Sequence, residues 1–432
     1  MSSLQLFMTG SVLVALAYLG VVSIMSVVAA LRAGGRKEDT PDSYDAMAAS
    51  RLTMPVSVVL PIGSSERAHE AIGQLLALNY PEFEVIVVVD APADMSRLSA
   101  EWQLETREFF YRRTLETSPV RRIFRSLRDG RLMVVEKDPD HRSDALNCGI
   151  NLARFRFVAV VPPTVAFDRS ALLRAMAPAL RDPVSVVGVG NHIERVPDQR
   201  RSPDRESRFQ RLRSIRSMMF TRLFWGHLRH GLGPEDGVVI WRRDAVLQVN
   251  GFSRRVADPD LDMMFRLQQH VSHDERRFVT SEDAFGQTDT DGPAEARRRA
   301  NLRQRAALQA AASWGPGASR SVGFRTFAYF LEAELITPLA QFWVVSVTLA
   351  GAAAGWFTWT TAALTLLLLS FGTGAVSAAA LLLRGAHPDA PNRPELKAML
   401  AIAPLEVVVY SPRQLWSRLA ALLGVRMSSP SA

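Results

Sequence analysis

Two long stretches without a charged residue constrain this chain more than any other feature. The first runs from Leu4 to Leu31 and the second from Leu335 to Leu383. A helix crosses the hydrocarbon layer with roughly 20 apolar residues. One crossing fits the first stretch, while the second is too long for one. It is interrupted by Gly355-Trp-Phe-Thr-Trp-Thr360, where a glycine and interfacial aromatics suit a turn at the membrane surface. Three crossings are therefore expected, one within 1–32 and two forming a hairpin over 335–383, at 335–354 and 359–383. No basic residue precedes the first apolar stretch, and its length is about twice that of a signal-peptide core, so an uncleaved anchor is expected there rather than a cleaved signal. Arg32, Arg36 and Lys37 follow the first crossing, and Arg384 and Arg393 follow the last. Basic flanks favour the cytoplasm, which puts the intervening region on that side of a cell (inner) membrane and makes the protein multi-pass.

The formal charge of +8 raises the question of nucleic acid, but no zinc-finger spacing or RNA-binding aromatic signature accompanies it. Lipid head groups are the expected partner of this basic load, and nucleic acid is not. Lys37, Lys137 and Lys397 are the only lysines, so the load is almost entirely arginine. Cys148 is the sole cysteine, which excludes an intrachain disulfide and any cysteine-based metal site.

Between the apolar segments the pattern changes. A polar linker is expected over 33–53 and a soluble domain over 54–322. Within it, Val56-Ser-Val-Val-Leu60, Val85-Ile-Val-Val-Val89, Leu132-Met-Val-Val135, Phe157-Val-Ala-Val-Val161 and Val184-Ser-Val-Val-Gly188 are nearly continuous apolar runs. Such runs are typical of strands covered on both faces. Helical patterns at 66–78, 95–116, 142–154 and 169–181 alternate with them, so an α/β domain with a mainly parallel sheet and flanking helices is expected. Its ligands belong at the carboxyl ends of the strands. Further on, 192–209 reads as a loop, 209–228 as a helix, 237–249 and 259–269 as a strand and two helices, and 293–314 as a basic helix. Residues 323–334 suit a helix lying in the membrane interface, and the tail 384–432 an amphipathic helix on the membrane surface.

Several segments, in this order, resemble the membrane-bound family 2 glycosyltransferases, the group of cellulose, hyaluronan and poly-N-acetylglucosamine synthases. They are Val56-Ser-Val-Val-Leu-Pro61, Leu75-Leu-Ala-Leu-Asn-Tyr-Pro-Glu-Phe-Glu-Val-Ile-Val-Val-Val-Asp90, Asp144-Ala-Leu-Asn-Cys-Gly-Ile-Asn151, Trp241-Arg-Arg-Asp-Ala-Val-Leu-Gln-Val-Asn-Gly-Phe252 and Asp260-Leu-Asp-Met-Met-Phe-Arg-Leu267. The resemblance implies a GT-A type fold that binds a nucleotide sugar, usually linked to uridine diphosphate, and passes the sugar to a polysaccharide or lipid-linked acceptor. It implies nucleotide contacts from Asp90, Asp94, Arg142 and Asp144, and a catalytic base at Asp260. Arg303 and Arg305 would serve the diphosphate or acceptor.

Two of the family's motifs are missing. Where it has an Asp-x-Asp pair to grip magnesium or manganese, this chain has Pro162-Pro-Thr164, and its Gln-x-x-Arg-Trp motif aligns with Leu302-Arg-Gln-Arg-Ala306. Mg or Mn is thus expected from the family, while its ligands are absent from the motif. Asp138, Asp140, His141 and Asp168 lie near by in sequence, but Asp is common in loops and caps. Two functions stay open. One is an active transferase at the cytosolic membrane face. The other is a catalytically degenerate relative that binds nucleotide or assembles with itself or with an active polysaccharide synthase.

Overall fold

A computed structural model describes residues 3–33, 53–63, 68–89, 95–108, 111–196, 205–225, 237–256, 258–270, 277–290, scattered positions between 292 and 309, 335–385 and 391–410. The chain divides into two compact units. One comprises 37–195 with 225–289, and the other 1–36, 196–224 and 290–432.

The first unit is built on a nine-stranded sheet among the described residues. Its strands are β1 (Val56–Ile62), β2 (Phe83–Val89), β3 (Leu104–Thr106), β4 (Val120–Ser126), β5 (Leu132–Lys137), β6 (Phe157–Val160), β7 (Val186–Val196), β8 (Gly237–Arg242) and β9 (Arg277–Asp289). Their spatial order is β3-β4-β5-β2-β1-β6-β8-β7-β9. The central four, β5-β2-β1-β6, run parallel. On both sides of them the pairing is antiparallel, β3 to β4 and β4 to β5 on one side, β6 to β8 and β8 to β7 on the other. The sheet is therefore mixed rather than mainly parallel.

Four of the five apolar runs form the parallel strands at the sheet centre, where helices on both faces bury every residue, as in β2, while the fifth enters β7 only from Val186. Besides β3, two strands escaped the sequence reading. In β4, Arg121, Arg122 and Arg125 interrupt the apolar pattern, since this strand exposes part of its surface. The other is β9, with the polar sequence Arg-Phe-Val-Thr-Ser-Glu-Asp-Ala-Phe-Gly-Gln-Thr-Asp. The helix expected over 95–116 stops at Trp102, where Gln103 takes a left-handed φ of 49° and Leu104 opens β3. The loop expected from 192 begins later, because β7 continues to Val196 with Asn191, His192, Glu194 and Arg195 buried.

Helices of this unit include α1 (Ala68–Leu76), α2 (Met95–Trp102), α3 (Arg142–Leu152), α4 (Ala171–Arg181), α5 (Arg243–Gln248) and α6 (Pro259–His270). The most deeply set is α3, buried from Ser143 to Leu152. At Gly149 it approaches β1 so closely that a Cβ would lie 2.4 Å from a Val59 methyl.

The second unit contains an N-terminal helix (Ser3–Ala33), a helix at Arg205–Trp225, a pair at Thr337–Ala353 and Trp359–Gly385, and a short helix at Arg393–Ile402. Two of these, Ser3–Val28 and Trp359–Gly385, are long and apolar enough to cross a membrane. Three were expected. The third, Thr337–Ala353, is apolar but shorter, with 17 residues, at the lower end of the roughly 17 to 25 that a crossing takes. The turn expected after it is present, with Gly355 at φ 73°. Val12, Leu19, Val344, Val345, Leu369 and Val407 form the apolar core of this unit. Leu6, Phe7, Leu13, Val14, Leu364, Leu367, Leu368 and Phe371 remain exposed, an apolar exterior that a water-facing surface would not favour.

Residues 205–225 lie in sequence inside the expected soluble domain, yet they are tied into this second unit. Arg216 donates to both carboxylate oxygens of buried Glu406 at 2.5 and 2.6 Å and to Ser377 at 3.0 Å. Arg211 pairs with Glu395, and Phe209 stacks on Tyr410 with centroids 5.2 Å apart. Residues 323–334 and the tail beyond Tyr410 lie outside the described residues.

The packing of α3 leads to a test. Cys148 is buried, and burial pushes its thiol up to about 12. A thiol reagent should leave this cysteine untouched in the folded protein and modify it stoichiometrically in denaturant, as read by intact mass.

Candidate functional site

At the carboxyl ends of the parallel strands, one face of α3 is sewn to two loops. Lys137, the last residue of β5, places its ammonium 2.7 Å from Asp144 Oδ2, and both side chains are fully buried. The other oxygen, Oδ1, accepts the Ser118 N–H at 2.9 Å and a hydrogen bond from Arg254. One turn on, Asn147 donates Nδ2 to the Phe252 carbonyl at 3.0 Å and accepts the Phe252 N–H at 2.7 Å. One turn further, Asn151 donates to the Leu115 carbonyl and accepts from the N–H groups of Thr114 and Leu115. These positions share a helix face because they are three and four residues apart.

The loop that Asn147 holds cannot take another form. Asn250 and Gly251 both have positive φ, 61° and 67°, and a Cβ at Gly251 would lie 2.5 Å from Asn147 Oδ1. Two of the sequence motifs, Asp144-Ala-Leu-Asn147 and Asn250-Gly-Phe252, are thus two halves of one contact. From the other side Arg266 donates to the carbonyls of Val249 at 2.5 Å and Gly251 at 2.7 Å, and pairs with Asp262 at 2.7 Å. This anchors α6 and so fixes Asp260 at its first turn.

Asp258 caps that helix, accepting the N–H groups of Asp260 and Leu261 at 3.1 Å. The Asp260 carboxylate stands 3.6 Å from the Arg142 guanidinium, with 29% of its side chain exposed against 52% for Arg142. Burial raises the Asp260 pKa above the ordinary carboxylate value; Arg142 pulls it back and Asp258 adds to the rise. A carboxylate poised in this way suits proton abstraction near neutral pH better than a solvated one.

The segment that carries Pro162 and Thr164 is held against β9. Ala166 and Gln287 exchange backbone hydrogen bonds of 2.7 and 2.9 Å, Thr288 donates to the Thr164 carbonyl at 3.2 Å, and a Cβ on Gly286 would lie 2.5 Å from the Ala166 oxygen. No group of three His, Cys, Asp or Glu side chains among the described residues could hold a metal ion. Asp138 pairs with Arg121 at 2.5 Å, and Asp168 pairs with Arg174 and accepts the Ser170 N–H at 2.8 Å. Asp140 accepts from the Ser118 hydroxyl at 2.7 Å and the His141 N–H, with Arg254 3.3 Å away, and these contacts hold its carboxyl below the usual range. All three have the loop and cap partners that solvated aspartates usually take. Among the described residues the donor set therefore does not fit a magnesium or manganese ion.

Arg142 and Asp260 face each other at this edge, while Asp144, two residues after Arg142 on α3, is held by Lys137 and Arg254. Arg305 lies on a helical stretch of the other unit and is exposed. Asp90, Asp94 and Arg303 fall outside the described residues. Lys137 and Arg254 were not singled out in the sequence. For Lys137 a signal existed: it is one of three lysines in a chain whose basic residues are otherwise all arginine.

With this geometry in view, comparison with solved structures decides the fold. A mannosyltransferase from Pyrobaculum calidifontis, solved with GDP-Man and Mn2+, matches with a TM-score of 0.52 at 18% identity, over 93% of this chain and 99% of its own. The fold is that of a glycosyltransferase. TarS 1-349 from S. aureus in complex with UDP-GlcNAc is also similar, at 14% identity and TM-score 0.39, over 86% of this chain and 92% of its own. No protein-family model and no curated protein sequence matches the chain.

The buried pair at the head of α3 gives a second test. Replacing Lys137 by Met removes the fully buried cation of the pair and leaves Asp144 with Arg254 and the Ser118 N–H, a loss below the about 3 to 5 kcal/mol of a fully stranded buried charge. Chemical denaturation should show this loss for Lys137→Met and should show part of it recovered in the double variant Lys137→Met, Asp144→Leu.

Proposed function

We propose that the chain is a membrane-anchored glycosyltransferase that moves a sugar from a nucleotide sugar to an acceptor hydroxyl at the cytosolic face. The observation that carries this reading is the Arg142–Asp260 pair at the carboxyl edge of the parallel strands, where ligands of such sheets bind. The sequence resemblance puts nucleotide contacts at Asp90, Asp94 and Arg142, and the similar mannosyltransferase was solved with a nucleotide sugar. In the reaction, the acceptor oxygen attacks the anomeric carbon while the bond from that carbon to the diphosphate oxygen breaks. Its electron pair leaves on the diphosphate, and the hydroxyl proton passes to Asp260. The two long apolar helices support attachment to a bilayer, with a lipid-linked or polysaccharide acceptor delivered at its surface. Uridine diphosphate is the donor group that the resemblance favours. Asp144, buried against Lys137 and Arg254, would serve the nucleotide by fixing the loops around it rather than by touching it.

A specific observation favours a second reading, a non-catalytic partner of an active polysaccharide synthase. It is the pair Pro162 and Thr164 in place of carboxylates. One measurement separates the two: release of nucleoside diphosphate from UDP- and GDP-sugars by the full-length protein in detergent. Turnover that falls at least 100-fold in Asp260→Asn, with nucleotide affinity unchanged within about twofold, supports the transferase. Binding without turnover in the unaltered protein supports the partner role. For the active enzyme, the base must be ionised and its pKa lies above the ordinary Asp value, so the rate should fall as pH drops through that raised pKa.

A further inference from the structure

The missing metal ligands change what the site must do with the negative charge of a leaving diphosphate. A divalent cation needs oxygen donors converging on one point. At this edge Asp138, Asp140, Asp144 and Asp260 each face a guanidinium or ammonium partner instead. The Pro162 to Ala166 segment is also fastened to β9 through Ala166 and Gln287, so it is not free to swing in another donor. Chemically, the described edge presents cations to a ligand rather than carboxylates to a cation.

Two of those cations have the exposure and geometry to meet an anion. Arg142 is 52% exposed, and its one ion pair among the described residues is the loose 3.6 Å contact with Asp260. Arg254 is 41% exposed and reaches across the head of α3 to Asp140 and Asp144, which fix its direction. A guanidinium offers a planar fork of N–H donors that matches two phosphate oxygens and keeps its charge at any working pH.

We propose that this site holds and neutralises the diphosphate of a nucleotide sugar without a divalent cation, using the guanidinium groups of Arg142 and Arg254. The proposal rests on the nucleotide-sugar reading given above. It implies an order of events: a diphosphate that engages Arg142 draws it away from Asp260, leaving the carboxylate open to the acceptor hydroxyl. Donor would bind first, and the base would be released by that binding.

The test is calorimetric titration of the full-length protein in detergent with UDP and with GDP, first in EDTA and then with magnesium or manganese. The expected result is binding in EDTA, with a Kd that the cations change by no more than about twofold. Arg142→Ala should weaken it at least tenfold and Arg142→Lys by less, both variants retaining the thermal midpoint of the unaltered protein. Binding that appears only with magnesium or manganese overturns cation independence while leaving the nucleotide reading intact. Unchanged affinity in Arg142→Ala overturns the role of the guanidinium. Absence of binding by either nucleotide under every condition, in folded protein, removes the nucleotide-sugar reading and this proposal with it.

Discussion

The carboxylate of Asp144 is buried at the head of α3, and the local architecture follows from the need to satisfy it. An isolated buried carboxylate is prohibitively costly, so its partners must be present and well placed. Lys137 ends a central strand, Ser118 belongs to the loop before β4, and Arg254 lies just past the Asn250-Gly251 turn. Each tether brings a different stretch of chain to the same helix end. Asn147 and Asn151 extend the arrangement along α3 with hydrogen bonds to backbone, which leave those two loops little freedom.

This scaffold links stability to chemistry. The turn held by Asn147 is also gripped by Arg266, and Arg266 belongs to α6, whose first turn holds Asp260. The position of the proposed base relative to Arg142 is therefore set by contacts two layers away from any ligand. Preorganisation of this kind matters for transfer chemistry, in which misplacement by about an ångström costs orders of magnitude in rate. It also explains why motifs distant in sequence occur together: Asp144 to Asn147 and Asn250 to Phe252 form one interlocked surface.

The other unit shows a similar economy with charge. Arg216 gives a bidentate hydrogen-bonded pair to Glu406, and Ser377 shares in it. Such a pair holds elements from three parts of the chain in one register, because removing Arg216 would leave the buried Glu406 charge without its partner. A helix read from sequence as part of the soluble domain is in this way built into the unit that contains the apolar helices.

How far the sequence reached can be judged element by element. Continuous apolar runs disclosed the sheet centre, since strands covered on both faces have no polar side to hide, and uncharged stretches disclosed the long apolar helices. β4 and β9 were invisible, because exposed arginines break the apolar run of β4 and the sequence of β9 is mostly polar. The end of the helix at Trp102 depended on one left-handed residue, Gln103, whose identity does not announce it. In the site, Asp260 and Arg142 were named from their motifs and are neighbours in space. The roles of Lys137 and Arg254 had to wait for the fold, since only tertiary contact brings residues more than 100 positions apart onto one buried carboxylate. The sequence by itself determined which residues could not be metal ligands, because proline has no side-chain donor. Only the tertiary structure decided where the remaining charges stand: β9 fastens the segment that carries Pro162 and Thr164, and the loops gathered at the sheet edge bring arginines to Asp140, Asp144 and Asp260 from distant parts of the chain.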